Sequence, residues 1–227
     1  MPSTSVSDRV FGALCESIVS GRYAPGEKLP TQRALAADLG VNIGPVREAV
    51  KRLEQLRLVH VRHGDAMRVA DWRSTSGLEA ASPLLFRQDG FDPDALAALM
   101  EARRVMLTES ARLAAERRTG EQADELERLA ARIGEQAGDR DAVQALDFAF
   151  FAELIEAAGN LVLSLVMNSI RHVYLENAQL FRALVENPEE LAPLYRRAAR
   201  AVASGGGTRA AKAVGELAAL QESWVVS

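Results

Sequence analysis

The sequence predicts a mainly α protein: an N-terminal winged helix-turn-helix with a small β-hairpin wing, joined to a C-terminal all-α antiparallel helical bundle. Three observations carry this. Apolar residues recur at spacings of three and four along most of the chain, the period drops to two only over "LVHVRHGDAMRVA", and charge divides unevenly. Through residue 70, ten Lys/Arg stand against seven Asp/Glu, and beyond it seventeen stand against twenty-four. A front of +3 is therefore followed by a remainder of −7, as if a basic module met a polyanion and an acidic one did something else.

The first helix places Val10, Phe11, Leu14, Cys15 and Ile18 on one face, with Ser7 as the expected N-cap and Gly21 as its end. "YAPGEKLP" is a Pro-Gly turn, and Thr31 then caps a short helix that buries Leu35 and Leu39 and stops at Gly40. Asn42 caps the next helix and Pro45 falls in its first turn, where a missing N–H costs nothing. Val46, Ala49, Val50 and Leu53 form its buried stripe, leaving Ile43, Gly44, Arg47, Lys51 and Arg52 on the remaining surface. Val59 and Val61 alternate with His60 and Arg62, the chain turns at His63-Gly64-Asp65, and it returns through Met67 and Val69 as a hairpin. Three helices and a hairpin make a winged helix-turn-helix, whose recognition helix fits the major groove of double-stranded DNA.

"DWRSTSGLEAASPLLF" is a Ser-rich joint with no strand pattern after it, and Asp92-Pro93 opens a long helix running toward Arg118. Five or six helices follow, including one continuous period over "LVLSLVMNSIRHVYLENAQLFRAL". The expected organisation is a DNA-binding module at 1–72, a linker at 73–90 and a helical effector and dimerisation module at 91–227. The chain has 48% apolar content, enough to fill real cores, and neither a long uncharged apolar run nor the basic, apolar start of a secretory signal. A cytoplasmic protein with no membrane partner is expected. One cysteine excludes an internal disulfide and a CxxC pair. Of three histidines, two lie at the wing and His172 has no evident nucleophile or acid beside it, so no catalytic residue is assigned.

From "IVSGRYAPGEKLPTQRALAADLGVNIGPVREAVKRLEQLRLV" onward the chain resembles the GntR family of bacterial transcriptional regulators, through "Y-x-P-G-E-K-L-P", "R-x-L-A", "P-V-R-E-A" and the "H-G" of the wing tip. The resemblance implies DNA contacts by Arg33 and Arg47, and a minor-groove contact by His63 and Gly64. With the exposed start of the recognition helix, the DNA-binding set becomes Arg33, Asn42, Ile43, Gly44, Arg47, Arg52, His63 and Gly64. The family usually carries Ser-Arg or Thr-Arg where this chain has Asn42-Ile43. An Ile can touch a thymine methyl but cannot make the bidentate guanine contact, so a shifted operator is expected. The family also implies a homodimer on a palindrome.

The all-helical second half resembles the FadR subfamily, many of whose members bind a metal through an Asp, a His four residues later and two later His. Here the run is Asp147-Phe148-Ala149-Phe150-Phe151, so the second ligand is Phe, and His172 is the one histidine after it where two are needed; no metal and no cofactor are therefore expected, and Asp147 reads as a helix-face or buried hydrogen-bonded carboxylate. "TSGL", "LDFAFFAELIEAAGN" and the pair Asn168 and Tyr174 resemble the subfamily's fatty-acid-metabolism branch, with Trp224 near the end. That resemblance implies a small-molecule effector, long-chain acyl-CoA, bound by Arg103, Tyr174 and Trp224 and releasing the DNA. The alternatives are a small carboxylate without metal, or a helical adaptor whose helix-turn-helix contacts protein.

Overall fold

The structure, a computed structural model, describes residues 5–61, 66–80, 86–87 and 90–226. The chain divides into two compact units, residues 1–95 and 96–227.

In the first unit, α1 (Val6–Val19) begins at Ser5 rather than Ser7. Ser5 Oγ accepts from Asp8 N at 3.1 Å and the Asp8 carboxylate accepts Ser5 N at 3.2 Å, a reciprocal cap that Ser7 lacks because it is buried one position inside the helix. α2 (Gln32–Asp38) is capped by Thr31, as expected, and Gly40 turns the chain at φ +65°. Leu39 departs from expectation. It lies past the last helical residue, its side chain is 40% exposed, and Ala36 takes the inner position. α3 (Ile43–Gln55) buries the expected stripe of Val46, Ala49, Val50 and Leu53 against α1. Each such side chain contributes about 1.5 to 3 kcal/mol for leaving water, less for Ala.

The wing pairs β1 (Val59–His60) with β2 (Arg68–Val69) in the register Val59↔Val69 and His60↔Arg68. Val61 lies beyond the ladder and is 40% exposed, so the inward alternation ends one pair early. Residues 62–65, with His63 and Gly64, fall outside the described residues. "YAPGEKLP" is more than a turn: Val69 N donates to Glu27 O at 3.0 Å and Leu29 N to Met67 O at 2.8 Å, giving β2 a partner on its second side. After α4 (Trp72–Thr75) and a 3-10 turn at Leu78–Ala80, two short strands absent from the sequence reading, β3 (Phe86–Arg87) and β4 (Gly90–Phe91), pair antiparallel. Two-residue strands are too short to show a period.

Asp92 Oδ1 accepts from Asp94 N and Ala95 N, opening α5 (Pro93–Arg117) as expected. The helical unit continues through α6 (Gly120–Glu135), α7 (Arg140–Ala157), α8 (Leu161–Glu176), a 3-10 segment (Leu180–Val185), α9 (Pro188–Ala203) and α10 (Gly207–Val225). The long period over 161–184 breaks at Asn177, the C-cap of α8. Side chains of Thr119, Asp139, Asn160 and Asn187 cap the starts of α6 to α9. At the opposite polarity, Arg117 Nη1 donates to Ala158 O at 3.0 Å and Arg118 Nη2 to Ala203 O at 2.6 Å, so two adjacent arginines close the C-termini of α7 and α9. α9 packs on both α6 and α10, and its short turn to α10 makes that pair antiparallel. Phe150, Tyr195, Leu126, Ile133, Leu154 and Leu217 fill the core.

Candidate functional site

The N-terminal surface is built from the starts of α2 and α3. Asn42 holds the N-cap position with extended backbone, yet its side chain makes no capping bond and is exposed. Gly44 and Arg47 are exposed on the next turn, and a Cβ at Gly44 would meet nothing within 4 Å, so another backbone can approach closely there. Arg33 is exposed near the start of α2. Neither Arg33 nor Arg47 has a hydrogen-bond or ion-pair partner among the described residues. Their guanidinium groups are therefore open to phosphate or base edges.

Two members of the expected set are placed differently. Ile43 is half-buried and packs against the core of this unit, so part of its side chain is committed to the fold. Arg52 donates to Asp8 Oδ1 at 2.7 Å and lies 4.0 Å from the centre of the Phe11 ring, tying α3 to α1. Hydrogen bonds from Ser5 and then Arg52 hold the Asp8 carboxyl below its usual range. Cys15 is buried in the same core and its thiol is pushed up to about 12 by that burial, which keeps it unreactive.

In the helical unit, a polar chain that the sequence reading did not anticipate runs across four helices. Asp147, on α7 and 2% exposed, accepts from the Tyr195 hydroxyl of α9 and from Gln221 Nε2 of α10 at 2.7 Å. Gln221 Nε2 also reaches Tyr195 Oη at 3.0 Å, and Gln221 Oε1 accepts from Arg103 Nη2 of α5 at 2.9 Å. The Arg103 guanidinium also lies 4.8 Å from the centre of the Phe151 ring. Burial raises the Asp147 carboxyl, opposed by the charge of Arg103 and the bonds from Tyr195 and Gln221. Burial, then the neighbouring Asp147, pushes the Tyr195 phenol well above its ordinary value. Of the two readings of Asp147, the structure shows the buried hydrogen-bonded carboxylate.

This set does not fit a metal. The groups facing Asp147 are an O–H, an amide N–H and, behind them, a guanidinium, all of which offer protons or positive charge where a cation needs lone pairs. Position 151 is Phe, and no group of three His, Cys, Asp or Glu that could hold a metal ion occurs among the described residues.

Of the expected effector residues, Arg103 ends the polar chain. Tyr174 lies in a separate apolar cluster with Met100, Phe181 and Leu184, its ring 5.3 Å from that of Phe181 and 5.1 Å from that of Phe148. Burial, then the charge of Asp147, raises its phenol, and the Arg103 charge opposes them. The cluster adjoins the polar chain through Phe148, next to Asp147 on α7, and Met100, one turn before Arg103 on α5. Trp224 is half-buried against the main core, three residues beyond Gln221 on α10.

A winged helix-turn-helix with open arginines at its recognition surface, carried on the same chain as a helical unit with an internal polar site, defines a DNA-binding transcriptional regulator. The chain belongs to the GntR family: residues 6–69 match the model described as bacterial regulatory proteins, gntR family, and residues 98–219 match the FCD domain, an effector-binding unit. Among its relatives is the HTH-type transcriptional regulator Mce2R of Mycobacterium tuberculosis, 35% identical over 213 residues, which are 94% of this chain and 88% of the relative. The fatty acid metabolism regulator protein of Yersinia pestis is 30% identical over 176 residues, 78% of this chain and 71% of that one. Similar solved structures include Lar of Listeria monocytogenes (TM-score 0.57, 19% identity, covering 97% of this chain and 96% of that one) and E. coli McbR/YncC (TM-score 0.51, 19% identity, covering 95% and 94%); these show the fold. The relatives are transcriptional regulators, not enzymes, and no helix among the described residues is long and apolar enough to cross a membrane.

Proposed function

We propose that this protein is a cytoplasmic, ligand-responsive regulator that binds a palindromic operator as a homodimer and releases it on binding a long-chain acyl-CoA or a related fatty-acid metabolite. Residues 1–72 serve as the DNA module, 73–90 as linker and 91–227 as effector and dimerisation module. Arg33, Asn42, Ile43, Gly44, Arg47, Arg52, His63 and Gly64 form the DNA set in this reading. Arg47 and Arg33 lead because their charges are unpaired, and Arg52 and Ile43 contribute mainly by positioning α3.

The observation that carries the effector half is Arg103. It is a half-buried cation whose hydrogen bond goes to a neutral amide, and it adjoins the apolar cluster of Met100, Tyr174 and Phe181. A cation beside an apolar cluster suits an amphipathic ligand with an anionic head and a long tail. The Yersinia relative's name supports the same reading. A hundredfold release requires about 2.7 kcal/mol of differential binding, and at about 0.8 kcal/mol per buried methylene an acyl chain supplies it easily. A small carboxylate bound by Arg103 without metal is the second reading, favoured by the same guanidinium. Titration calorimetry of acyl-CoAs of decreasing length into the full chain, with operator release followed in parallel, tests the first. Affinity should fall as the chain shortens; binding indifferent to chain length, with response to a short acid alone, would replace it with the second.

A further inference from the structure

The outer face of the wing sheet carries a row of basic side chains that neither the recognition helix nor the wing tip accounts for. His60 stands directly opposite Arg68, and on the other side of the same strand Arg68 stands opposite Lys28. Residues paired across antiparallel strands point to one face. That face is the outer one, because Val59, Val69, Leu29 and Met67, which alternate with these three, belong to the buried core. At about 4.8 Å per strand, the row spans about 10 Å from Lys28 to His60. It also adjoins the expected DNA surface along the chain: His60 precedes segment 62–65 by two residues, and Lys28 precedes Thr31, which caps the helix carrying Arg33, by three.

Like charges placed directly opposite one another weaken a sheet, so Lys28 beside Arg68 is a standing cost to the fold. Arg68 is partly answered, since Nη1 donates to Gly26 O at 3.0 Å. Lys28 and His60 have no hydrogen-bond or ion-pair partner among the described residues. A groove of about 480 Å³ runs beside the row, lined by Pro25, Gly26, His60, Arg68 and Asp71 among others, and the Asp71 carboxylate in it accepts Ser74 Oγ at 2.8 Å.

We infer that Lys28, Arg68 and His60 form a phosphate-binding row that grips the DNA backbone, distinct from the base-reading start of α3. The inference rests on the DNA-binding reading above. The ligand is the phosphodiester of the operator: a polyanion supplies the charge that the row lacks in the free protein, and His60 offers a ring N–H to phosphate in either protonation state. Contacts of this kind position the protein and carry no sequence information.

The test uses full-length Lys28→Glu and the double variant Lys28→Ala/His60→Ala, with Arg68 kept because it is bonded to Gly26 O. Affinity is measured from 50 to 200 mM salt for a duplex that the unaltered protein selects from a random pool, and for a random duplex. The double variant should lower the slope of log affinity against log salt by about 1 for each phosphate no longer neutralised, and both variants should weaken both duplexes alike, with the selected sequence unchanged. Circular dichroism checks the fold, and Arg47→Ala serves as a reference. If Arg47→Ala weakens binding while both row variants keep the unaltered slope and affinity, the row is only a solvated edge that deters strand pairing, and the DNA reading stands. A changed base preference would overturn the phosphate assignment. No salt-dependent binding by the unaltered protein would overturn the DNA reading and the row together.

Discussion

The two units treat their polar side chains in opposite ways. On the recognition surface, Arg33 and Arg47 are exposed and unpaired and Asn42 leaves its own helix uncapped. In the helical unit the large buried polar side chains are answered, Asp147 by Tyr195 and Gln221, Gln221 by Arg103, and Gln144 by the Ala178 carbonyl at 2.7 Å, while Ser110 Oγ, Arg118 Nε and Arg140 Nε are buried without a hydrogen-bond partner. Even its surface arginines are largely matched, Arg104 with Glu222, Arg112 with Glu109 and Glu116, Arg197 with Glu216. A surface that waits for a polyanion gains by leaving its cations free, since each phosphate contact then releases counter-ions rather than breaking an internal pair. A carboxylate buried in a bundle and faced by hydroxyl and amide donors is satisfied from the bundle's own side chains, because an unanswered charge there is far costlier than at the surface.

The sharpest break of this comparison is Tyr195→Ala, which removes a core ring and one of the two donors to Asp147. It should cost about 3 to 5 kcal/mol of stability, read by urea unfolding. Arg47→Ala is its counterpart on the other surface: stability should hold, while operator affinity falls by about 1 to 3 kcal/mol. Unchanged affinity with an intact fold would remove Arg47 from the interface.

A finer probe is the pH dependence of Asp147→Asn. Burial raises the folded-state carboxyl above its unfolded value, so its contribution to stability is fully present below the unfolded value and is lost as pH rises through the folded one. The parent should therefore lose stability upward from about pH 4 relative to Asp147→Asn, whose side chain does not ionise. A stability difference independent of pH would mean that Asp147 keeps the same proton in both states. The smallest expected effect is none: a chelator should leave operator binding, effector response and thermal midpoint unchanged, and a drop in the midpoint would mean that a metal is bound after all.

Much of the DNA-binding unit was legible because its determinants are local. The stripe Val46, Ala49, Val50 and Leu53 is set by a period of 3.6 within one helix, and Thr31 and Gly40 mark ends that depend on a residue's own backbone. Misreadings fell at edges, where two candidates compete: Ser5 prevailed over Ser7 because only Ser5 has Asp8 three residues on to return its bond. That position 151, four residues after Asp147, holds Phe rather than His was legible too. What surrounds Asp147 instead was not, because Tyr195 lies 48 residues away and Gln221 lies 74 away, on helices with no pattern that points to it.

Sequence by itself determined the helix and hairpin succession, the basic recognition turn and the Phe at position 151, since each follows from residue type and spacing along one element. Tertiary structure alone decided that Lys28 stands beside Arg68, that Arg52 is held by Asp8 and Phe11, and that Arg103, Gln221, Asp147 and Tyr195 share one polar chain. The physical reason is that such contacts depend on how whole elements register and pack. Hydrophobic burial drives that packing without direction, and it leaves each polar side chain to find its partner wherever the fold brings one within reach.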